Sequence, residues 1–386
     1  MLSVVVPTRN EAANIDPLLA RLDAALAGVE YELIFVDDSD DRTPQMLEER
    51  AARDGQRIVL HHRSAGERRD GLSGAVLEGL AIAGGAYVAV IDADLQHPPE
   101  LLPQMLARAT TRGADVVVAS RYVGDGSVDG LGGLSRKLLS QATRWFSRVL
   151  FHERIWEVQD PCSGFFIFRR ALLEHASLRP IGYKILLEVL MRTPWVALEE
   201  VPYKFAERSG GDSKANLNQG LLFLRHSLRM FREVPSAGRV WKFFIVGATG
   251  AVVNLSVLWV LGVEVGLGRA IAWPIALEAS VLTNFALNRN LTWHDRRASG
   301  LAGLVSNGLR YHVAVAAGLG VSTGVFAALS WFGLPILLAG IGGIVAGAAS
   351  NYLGADRLVF VTRKQKAVVR QVTERSLQEE AASANG

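Results

Sequence analysis

The chain has 386 residues, 49% of them hydrophobic and 20% charged, and a mean hydropathy of +0.21, which allows one sizeable soluble domain and a second, greasier part. A formal net charge of +3 and a pI near 9.1 are too small an excess over this length to point to nucleic acid. The single cysteine, Cys162, excludes an intramolecular disulfide framework and suits a reducing, cytoplasmic catalytic domain.

The opening MLSVVVPTRNEA has no basic stretch ahead of an apolar core, so it reads as a first buried strand and not as a signal peptide. From Leu2 to about Arg121, short β-branched runs alternate with helical stretches. In chain order these are SVVVP, a helix over Ile15 to Leu26, YELIFVDD, a helix near Gln45 to Arg53, RIVLHH, a helix near Ser73 to Ile82, AYVAVIDAD and ADVVVASR. Such βα units predict an α/β, Rossmann-like, mostly parallel sheet covered on both faces. From Leu131 to Arg232 the pattern is mixed. It holds an amphipathic stretch over Leu138 to Leu150, an apolar strand over Gly164 to Phe168, and ALEEVPYKF as an edge strand. The run Gln219 to Phe231 places Arg225, His226, Arg229 and Arg232 at helical spacing. It is expected to be an interfacial amphipathic helix whose basic face meets lipid headgroups, with an ordinary surface helix as the alternative.

Four apolar runs follow: Phe243 to about Val263, Ala270 to Leu287, Val313 to Phe332 and Leu334 to Leu353. Each is close to the roughly 20 residues needed to cross a bilayer, which predicts an α-helical transmembrane domain of four spans. Arg239 and Lys242 precede the first span, Arg289, Arg296, Arg297 and Arg310 lie between the second and third, and Arg357, Arg363, Lys364 and Lys366 follow the fourth. The other two connections hold only Arg269, so both termini and the catalytic domain are expected in the cytoplasm of a multi-pass membrane protein. Glu278 and Asn284, inside the second span, are costly there and are expected to line an interhelical or headgroup surface. The tail over 363–386 is polar.

Open α/β sheets bind ligands beyond the carboxyl ends of their strands, and the acidic clusters sit there: Asp37 and Asp38 after ELIFV, Asp92 and Asp94 after YVAVI. Residues two apart in an extended segment point the same way, so Asp92, Asp94 and Gln96 can converge on one hard divalent cation through oxygen ligands. The cation would stabilise a departing diphosphate. Asp37 and Asp38 can accept hydrogen bonds from a nucleobase and ribose, although Ser39, Asp40 and Thr43 also suit a turn and helix cap. Pro7, Arg9 and Glu11 would lie beside them, and Val36 and Ala93 flank the acids. Gln141-Ala-Thr-Arg144-Trp145 matches the QxxRW pattern of processive polysaccharide synthases but precedes the SGF segment, and it is read as a chance match. The histidines, His61, His62 and His97 among them, lack metal-ligand spacing.

SVVVPTRNEAANI, FVDDSDDRT, GLSGAVLEGL, VIDADLQHPPE, VVVASRY, Ser135-Arg136, DPCSGFFIFRR and GYKILLEVL together resemble the polyprenyl-phosphate (dolichol-phosphate) mannose synthases of the family-2 glycosyltransferases, of GT-A fold. The match runs over most of residues 1–215. KFFIVGATGAVVN and NFALNRNLTW are similar to the GtrA-like membrane domain. The resemblance implies a GT-A catalytic domain over 1–215, interfacial helices over 216–238, a GtrA-like domain over 239–362 and a cytoplasmic tail over 363–386. It further implies Mg²⁺ or Mn²⁺ on Asp92, Asp94 and Gln96, a nucleotide on Asp37, Asp38, Pro7 and Glu11, and an acceptor phosphate among Arg121, Arg136 and Arg208. Arg forks suit phosphate oxygens independently of any resemblance. A phosphate acceptor is already a nucleophilic anion and needs no carboxylate base. Lys184 stands where transferases with sugar acceptors would carry an acid, and Glu188, one turn on, is kept as a candidate sugar contact or base. The expected reaction is inverting transfer of mannose from GDP-mannose to a polyprenyl (dolichyl) phosphate at the bilayer. The rivals are UDP-glucose or another UDP-sugar with undecaprenyl phosphate, and translocation of a lipid-linked sugar by the membrane domain.

Overall fold

The computed structural model describes residues 1–54, 57–68, 70–174, 176–206 and 217–361. The chain divides into two compact units, Met1–Ala237 and Gly238–Gly386. Arg208 and the tail over 363–386 lie outside the described residues.

The first unit carries a seven-stranded sheet of β1 (Leu2–Thr8), β2 (Tyr31–Asp37), β3 (Ile58–His62), β4 (Tyr87–Val90), β5 (Val116–Ser120), β6 (Phe166–Arg169) and β7 (Leu198–Pro202), in the order β3-β2-β1-β4-β6-β5-β7. Each expected strand forms, and every pairing is parallel except the two made by β6, which runs antiparallel between β4 and β5. The helices are α1 (Ala12–Ala25), α2 (Thr43–Asp54), α3 (Gly71–Ile82), α4 (Leu102–Thr111), α5 (Leu134–Leu150), α6 (His152–Ile155), α7 (Ile185–Arg192) and α8 (Leu217–Glu233).

Alternation along each strand sends successive side chains to opposite faces. Leu2, Val4 and Val6 of β1 therefore join one core with α1 and α4, while Val5 joins the other with α3 and α7. A strand so enclosed cannot carry charge until it leaves the sheet. Helix α3 lies so close that a Cβ on Gly79 would collide with Val5 Cγ1. Helix α4 was not foreseen. It starts behind Pro98-Pro99 with Pro103 in its first turn, and buries Leu102, Met105 and Ala109 at helical spacing.

Helices α5 and α8 are amphipathic in the other sense. Leu134, Leu138, Leu139, Trp145, Phe146 and Val149 of α5 and Leu221, Leu224 and Leu228 of α8 are exposed, and the two helices meet through Phe146 and Phe223, 5.9 Å apart. His226, expected on the basic face of α8, is instead fully buried.

The second unit contains α9 (Arg239–Trp259), α10 (Arg269–Leu287), α11 (Gly300–Trp331) and α12 (Ile336–Gly354). With the π-helical turns that continue three of them, the stretches Arg239–Glu264, Arg269–Thr292, Gly300–Trp331 and Ile336–Val359 are each long and apolar enough to span a membrane. The third starts at Gly300, well before the expected Val313, because the polar residues of its first turns find partners. Asn307 and Tyr311 are buried, and Asn288 Nδ2 donates to the Tyr311 hydroxyl at 3.1 Å. Glu278 of α10 is 3.0 Å from His312 Nε2 of α11.

The hairpins α9–α10 and α11–α12 repeat one packing device. Thr283-Asn284-Phe285 and Ser350-Asn351-Tyr352 occupy matching places, each followed by a π turn, Asn288–Thr292 and Ala355–Val359. After each turn comes an aromatic ring, Trp293 and Phe360, and the two rings stack 4.9 Å apart at 11°. A Cβ on Gly250 of α9 would collide with the Asn284 amide, and one on Gly318 of α11 with that of Asn351. Each asparagine thus fills a notch that only glycine leaves open. Gly250→Leu and Gly318→Leu are each expected to destabilise the protein by about 1–3 kcal/mol through overpacking. Gly247→Leu, which faces open space, should leave the melting temperature in detergent unchanged, and differential scanning fluorimetry on the three variants checks this.

Candidate active site

The register pairs Thr8 with Asp37 and Val5 with Val90, so the carboxyl ends of β1, β2 and β4 emerge along one edge of the sheet. There Thr8 Oγ1 and Ser39 Oγ donate to Asp37 Oδ1 at 2.7 and 2.6 Å, while the Ser39 amide and His62 Nδ1 donate to Oδ2 at 3.2 and 2.7 Å. With four bonds on a fully buried carboxylate, the acceptor positions are filled. This carboxylate organises the strand ends.

Asp38 is held by a bidentate fork from the buried Arg63, with Nε at 2.8 Å from Oδ1 and Nη2 at 2.6 Å from Oδ2. Asn10, in the left-handed region at φ 59°, donates its amide to Ser39 Oγ and accepts the Asp40 amide on Oδ1. The loops after β1 and β2 are thereby tied together. Pro7, Val36 and Ala93 are buried and offer no exposed side chain, whereas Arg9 is exposed and Glu11 half-buried. The Glu11 amide donates to Thr43 Oγ1, and Glu11 Oε2 accepts from Asn14 Nδ2.

A cavity of about 260 Å³ opens beside β4 and brings together Asp92, Gln96, Arg121, Arg136 and Lys184, five of the residues singled out from sequence. His97, Gly164, Leu131, Leu139 and Ile185 also line it. Asp94 lies next to this lining and not in it. Leu95, between Asp94 and Gln96, has φ 63°, an uncommon conformation for a bulky side chain that marks backbone strain. It turns the chain so that the Gln96 amide reaches Asp94 Oδ1 at 3.2 Å, while Gln96 Nε2 donates to the Ala206 and Gly130 carbonyls. Those donations assign the amide orientation and leave Oε1 as the acceptor. Two carboxylates and an amide oxygen are hard donors too few to enclose a cation, which fits Mg²⁺ or Mn²⁺ sharing its remaining positions with phosphate oxygens. Among the described residues no group of three or more His, Cys, Asp or Glu is placed to hold a metal ion.

Arg121 is nine-tenths buried and spends its fork on Asp160, with Nε and Nη2 each 2.8 Å from a carboxylate oxygen. Burial pushes the Asp160 carboxyl up, but the charge and hydrogen bonds of Arg121 outweigh it, so the group stays below the usual carboxylate range. Arg121 thus forms the cavity wall as one half of an ion pair. Arg136, on the first turn of α5, is exposed and has no ion-pair partner among the described residues. Lys184 Nζ donates to the Cys162 carbonyl at 3.0 Å and stands 4.5 Å from the centre of the Tyr183 ring. The buried imidazole of His97 is pushed down to about 3 by desolvation, then by the charges of Arg121 and Lys184.

Glu188 is not among the residues that line the cavity. It is fully buried in α7, accepts Arg192 Nε at 2.6 Å and His226 Nε2 at 2.9 Å, and anchors α8 to the domain. Sequence reasoning missed Asp160, Gly164, His97 and His226. Asp160 and Gly164 bracket the DPCSG run, and His97 directly follows DADLQ, but nothing local tells which groups they face. The QxxRW match resolves into structure too: Arg144 donates to the Gln159 carbonyl and side chain and lies 4.5 Å from the centre of the Tyr122 ring.

Residues 3–176 match the family model of glycosyl transferase family 2, and residues 242–360 match the transmembrane domain of the GtrA/DPMS type. The dolichol-phosphate mannosyltransferase of Pyrococcus furiosus is 36% identical over 363 residues, covering 94% of this chain and 99% of that protein. The dolichol-phosphate mannosyltransferase of Saccharomyces cerevisiae is 36% identical over 223 residues, covering 55% of this chain and 80% of that protein. The crystal structure of mannosyl-3-phosphoglycerate synthase from Rubrobacter xylanophilus is 22% identical, with a TM-score of 0.47 over 60% of this chain and 74% of that one. A mostly parallel sheet with acids at its strand ends, followed by four membrane-length helices, is a GT-A glycosyltransferase domain joined to a multi-pass membrane domain. The chain belongs to glycosyl transferase family 2, among the dolichol-phosphate mannosyltransferases.

Glu188 supplies a test of its structural role. Burial raises its carboxyl, but the His226 hydrogen bond, the charges of Arg192 and His226 and the Arg179 amide hold it below its ordinary 4.5. A depressed carboxyl contributes stability that is present above the ordinary value and lost as pH falls through the lowered one. Glu188→Gln is expected to cost about 2–4 kcal/mol at pH 7 and to flatten the loss of stability below pH 4.5, while the KM for the nucleotide-sugar stays as in the wild type. Thermal melts across pH, paired with steady-state kinetics, read both.

Proposed function

We propose that the protein transfers mannose from GDP-mannose to a polyprenyl (dolichyl) phosphate, with inversion, giving β-linked polyprenyl phosphate mannose and GDP. The observation that carries this reading is one cavity lined both by Asp92 and Gln96 and by Arg136 and Lys184. A transfer between two anions needs that polarity: oxygen ligands for the cation of a diphosphate, and fixed positive charge for an incoming phosphate. Asp92, Asp94 and Gln96 would hold Mg²⁺ or Mn²⁺, which when bound would supply charge neutralisation for a departing diphosphate. A phosphate oxygen of the acceptor attacks the anomeric carbon from the face opposite the leaving group. A C–O bond forms as the bond to the GDP oxygen breaks, and no proton need be removed. Arg136 and Lys184 orient the attacking phosphate, and Arg121 supports the wall behind them. Arg208 belongs to the proposed acceptor set on sequence grounds alone.

The surroundings suit a lipid acceptor. Helix α5 forms one wall of the cavity through Arg136, Leu139, Ser140 and Thr143, and its other residues expose Leu134, Leu138 and Trp145. An isoprenoid phosphate entering along α5 would keep its chain against apolar side chains and its phosphate beside arginine. We place residues 1–215 and both termini in the cytoplasm, on the distribution of arginine and lysine about the four spans. Arg9, Glu11 and Asp38 remain the proposed nucleotide contacts at the strand ends.

The purified full-length protein in detergent, given dolichyl phosphate, Mg²⁺ or Mn²⁺ and a panel of GDP- and UDP-sugars, should yield a lipid-linked mannose from GDP-mannose, identified by mass spectrometry. A product formed from UDP-glucose in preference would replace this reading with its nearest rival. Asp94→Ala should lower kcat by at least about a hundredfold, since several kcal/mol of charge stabilisation depend on the cation. Arg136→Ala should raise the KM for the lipid phosphate by about ten- to a hundredfold, as expected for a charged hydrogen bond of about 1.5–3 kcal/mol. The KM for the nucleotide-sugar should move little.

A further inference from the structure

His97 is a buried polar group of the cavity that the proposed reaction does not use. It is 3% exposed and packed among the rings of Phe165, Tyr203 and Phe205 at 5.5–5.8 Å. Its Nδ1 has no hydrogen-bond partner and lies 3.5 Å from Asp92 Oδ2. Buried nitrogens are rarely left in that state. The backbone of the SGF segment closes on the same pair: a Cβ on Gly164 would come within 2.9 Å of Asp92 Oδ2 and 3.2 Å of His97 Cε1.

Two other roles fit poorly. A phosphate nucleophile gives a general base nothing to do, and a ring walled in by three aromatic side chains is badly placed to exchange protons with a substrate. Imidazole is also a poor ligand for the hard cations that the oxygen set selects. Nδ1 is instead placed one small side-chain rotation from a hydrogen bond to a carboxylate of that set. Groups beyond the ligands hold them in the orientation that meets the metal, and their loss weakens affinity.

We propose that His97 is a positioning residue: its Nδ1–H donates to Asp92 Oδ2 and holds that carboxylate in the orientation in which it binds the cation. The aromatic cage fixes the ring, and Gly164 leaves the space in which the two side chains meet. This rests on the reading of Asp92, Asp94 and Gln96 as cation ligands.

The test is Mn²⁺ binding to the full-length protein in detergent with GDP present, followed by electron paramagnetic resonance of free Mn²⁺, together with melting curves without metal. His97→Phe keeps a ring in the cage and loses the donor. It should weaken Mn²⁺ binding about ten- to a hundredfold while melting no lower than the wild type in the absence of metal. His97→Asn places an amide NH₂ where Nδ1 was and should bind within a few-fold of the wild type. His97→Gln places it where Nε2 was and should bind as weakly as His97→Phe. Wild-type Mn²⁺ affinity in His97→Phe, or equal affinities for the Asn and Gln variants, would overturn the proposal. The Asn and Gln pair decides the matter if the Phe variant fails to fold. Asp94→Ala separates the two levels: if it too binds Mn²⁺ as the wild type does, the cation reading itself falls and His97 with it. Loss of binding in Asp94→Ala with full binding in His97→Phe removes the histidine alone.

Discussion

A parallel strand enclosed on both faces has no room for charge along its length, and most of the catalytic unit follows from that. Val4, Val5 and Val6 of β1 and Ile34, Phe35 and Val36 of β2 are completely buried, and Asp37 and Asp38 appear where β2 runs out. Backbone pairing then does what side chains cannot do alone. The parallel register of β1 with β2 and β4 brings three strand ends to one edge, so Asp37, Asp38, Asp92 and Asp94 gather without any of them crossing the core. Concentrated there, the acids must be hydrogen-bonded or ion-paired, because burying an unpaired carboxylate is costly.

The acids divide by how that need is met. Asp37 is saturated by Thr8, Ser39 and His62, whereas the Arg63 fork takes only two of the acceptor positions of Asp38. Asp160 is matched to Arg121 and Glu188 to His226 and Arg192. These pairs stiffen the walls and contribute little net charge. Asp92 keeps a third of its side chain exposed, and with Arg136 and Lys184 it gives the cavity its polarity.

In the membrane unit the same problem is solved without water. Polar side chains within apolar helices are costly unless the protein supplies partners. Asn288 and Tyr311 bond to each other, and Trp293 Nε1 and Arg296 share Asp356 at 3.0 and 2.9 Å, whereas Asn284 and Asn351 pack against glycines with each Oδ1 buried and without a hydrogen-bond partner among the described residues. The π turns Asn288–Thr292 and Ala355–Val359 each precede one of the two stacked rings, so these two helix irregularities lie where the hairpins meet.

The sequence by itself determined the seven strands, the four apolar helices and the residues that end the strands, because each is a local pattern of apolar periodicity or of charge following an apolar run. The ordered set of motifs also singled out Arg136 and Lys184, which line the same cavity as Asp92 and Gln96. What the sequence could not contain was partnership. The antiparallel insertion of β6 between β4 and β5, the saturation of Asp37, the capture of Arg121 by Asp160 and the burial of Glu188 against His226 all depend on residues 25 to 39 positions or more apart in the chain. An acid followed by a turn looks the same in sequence whether its oxygens meet a serine, an arginine or a ligand. Only the tertiary structure decides, because hydrogen-bond capacity is finite and is spent on whichever groups the fold brings within 3 Å.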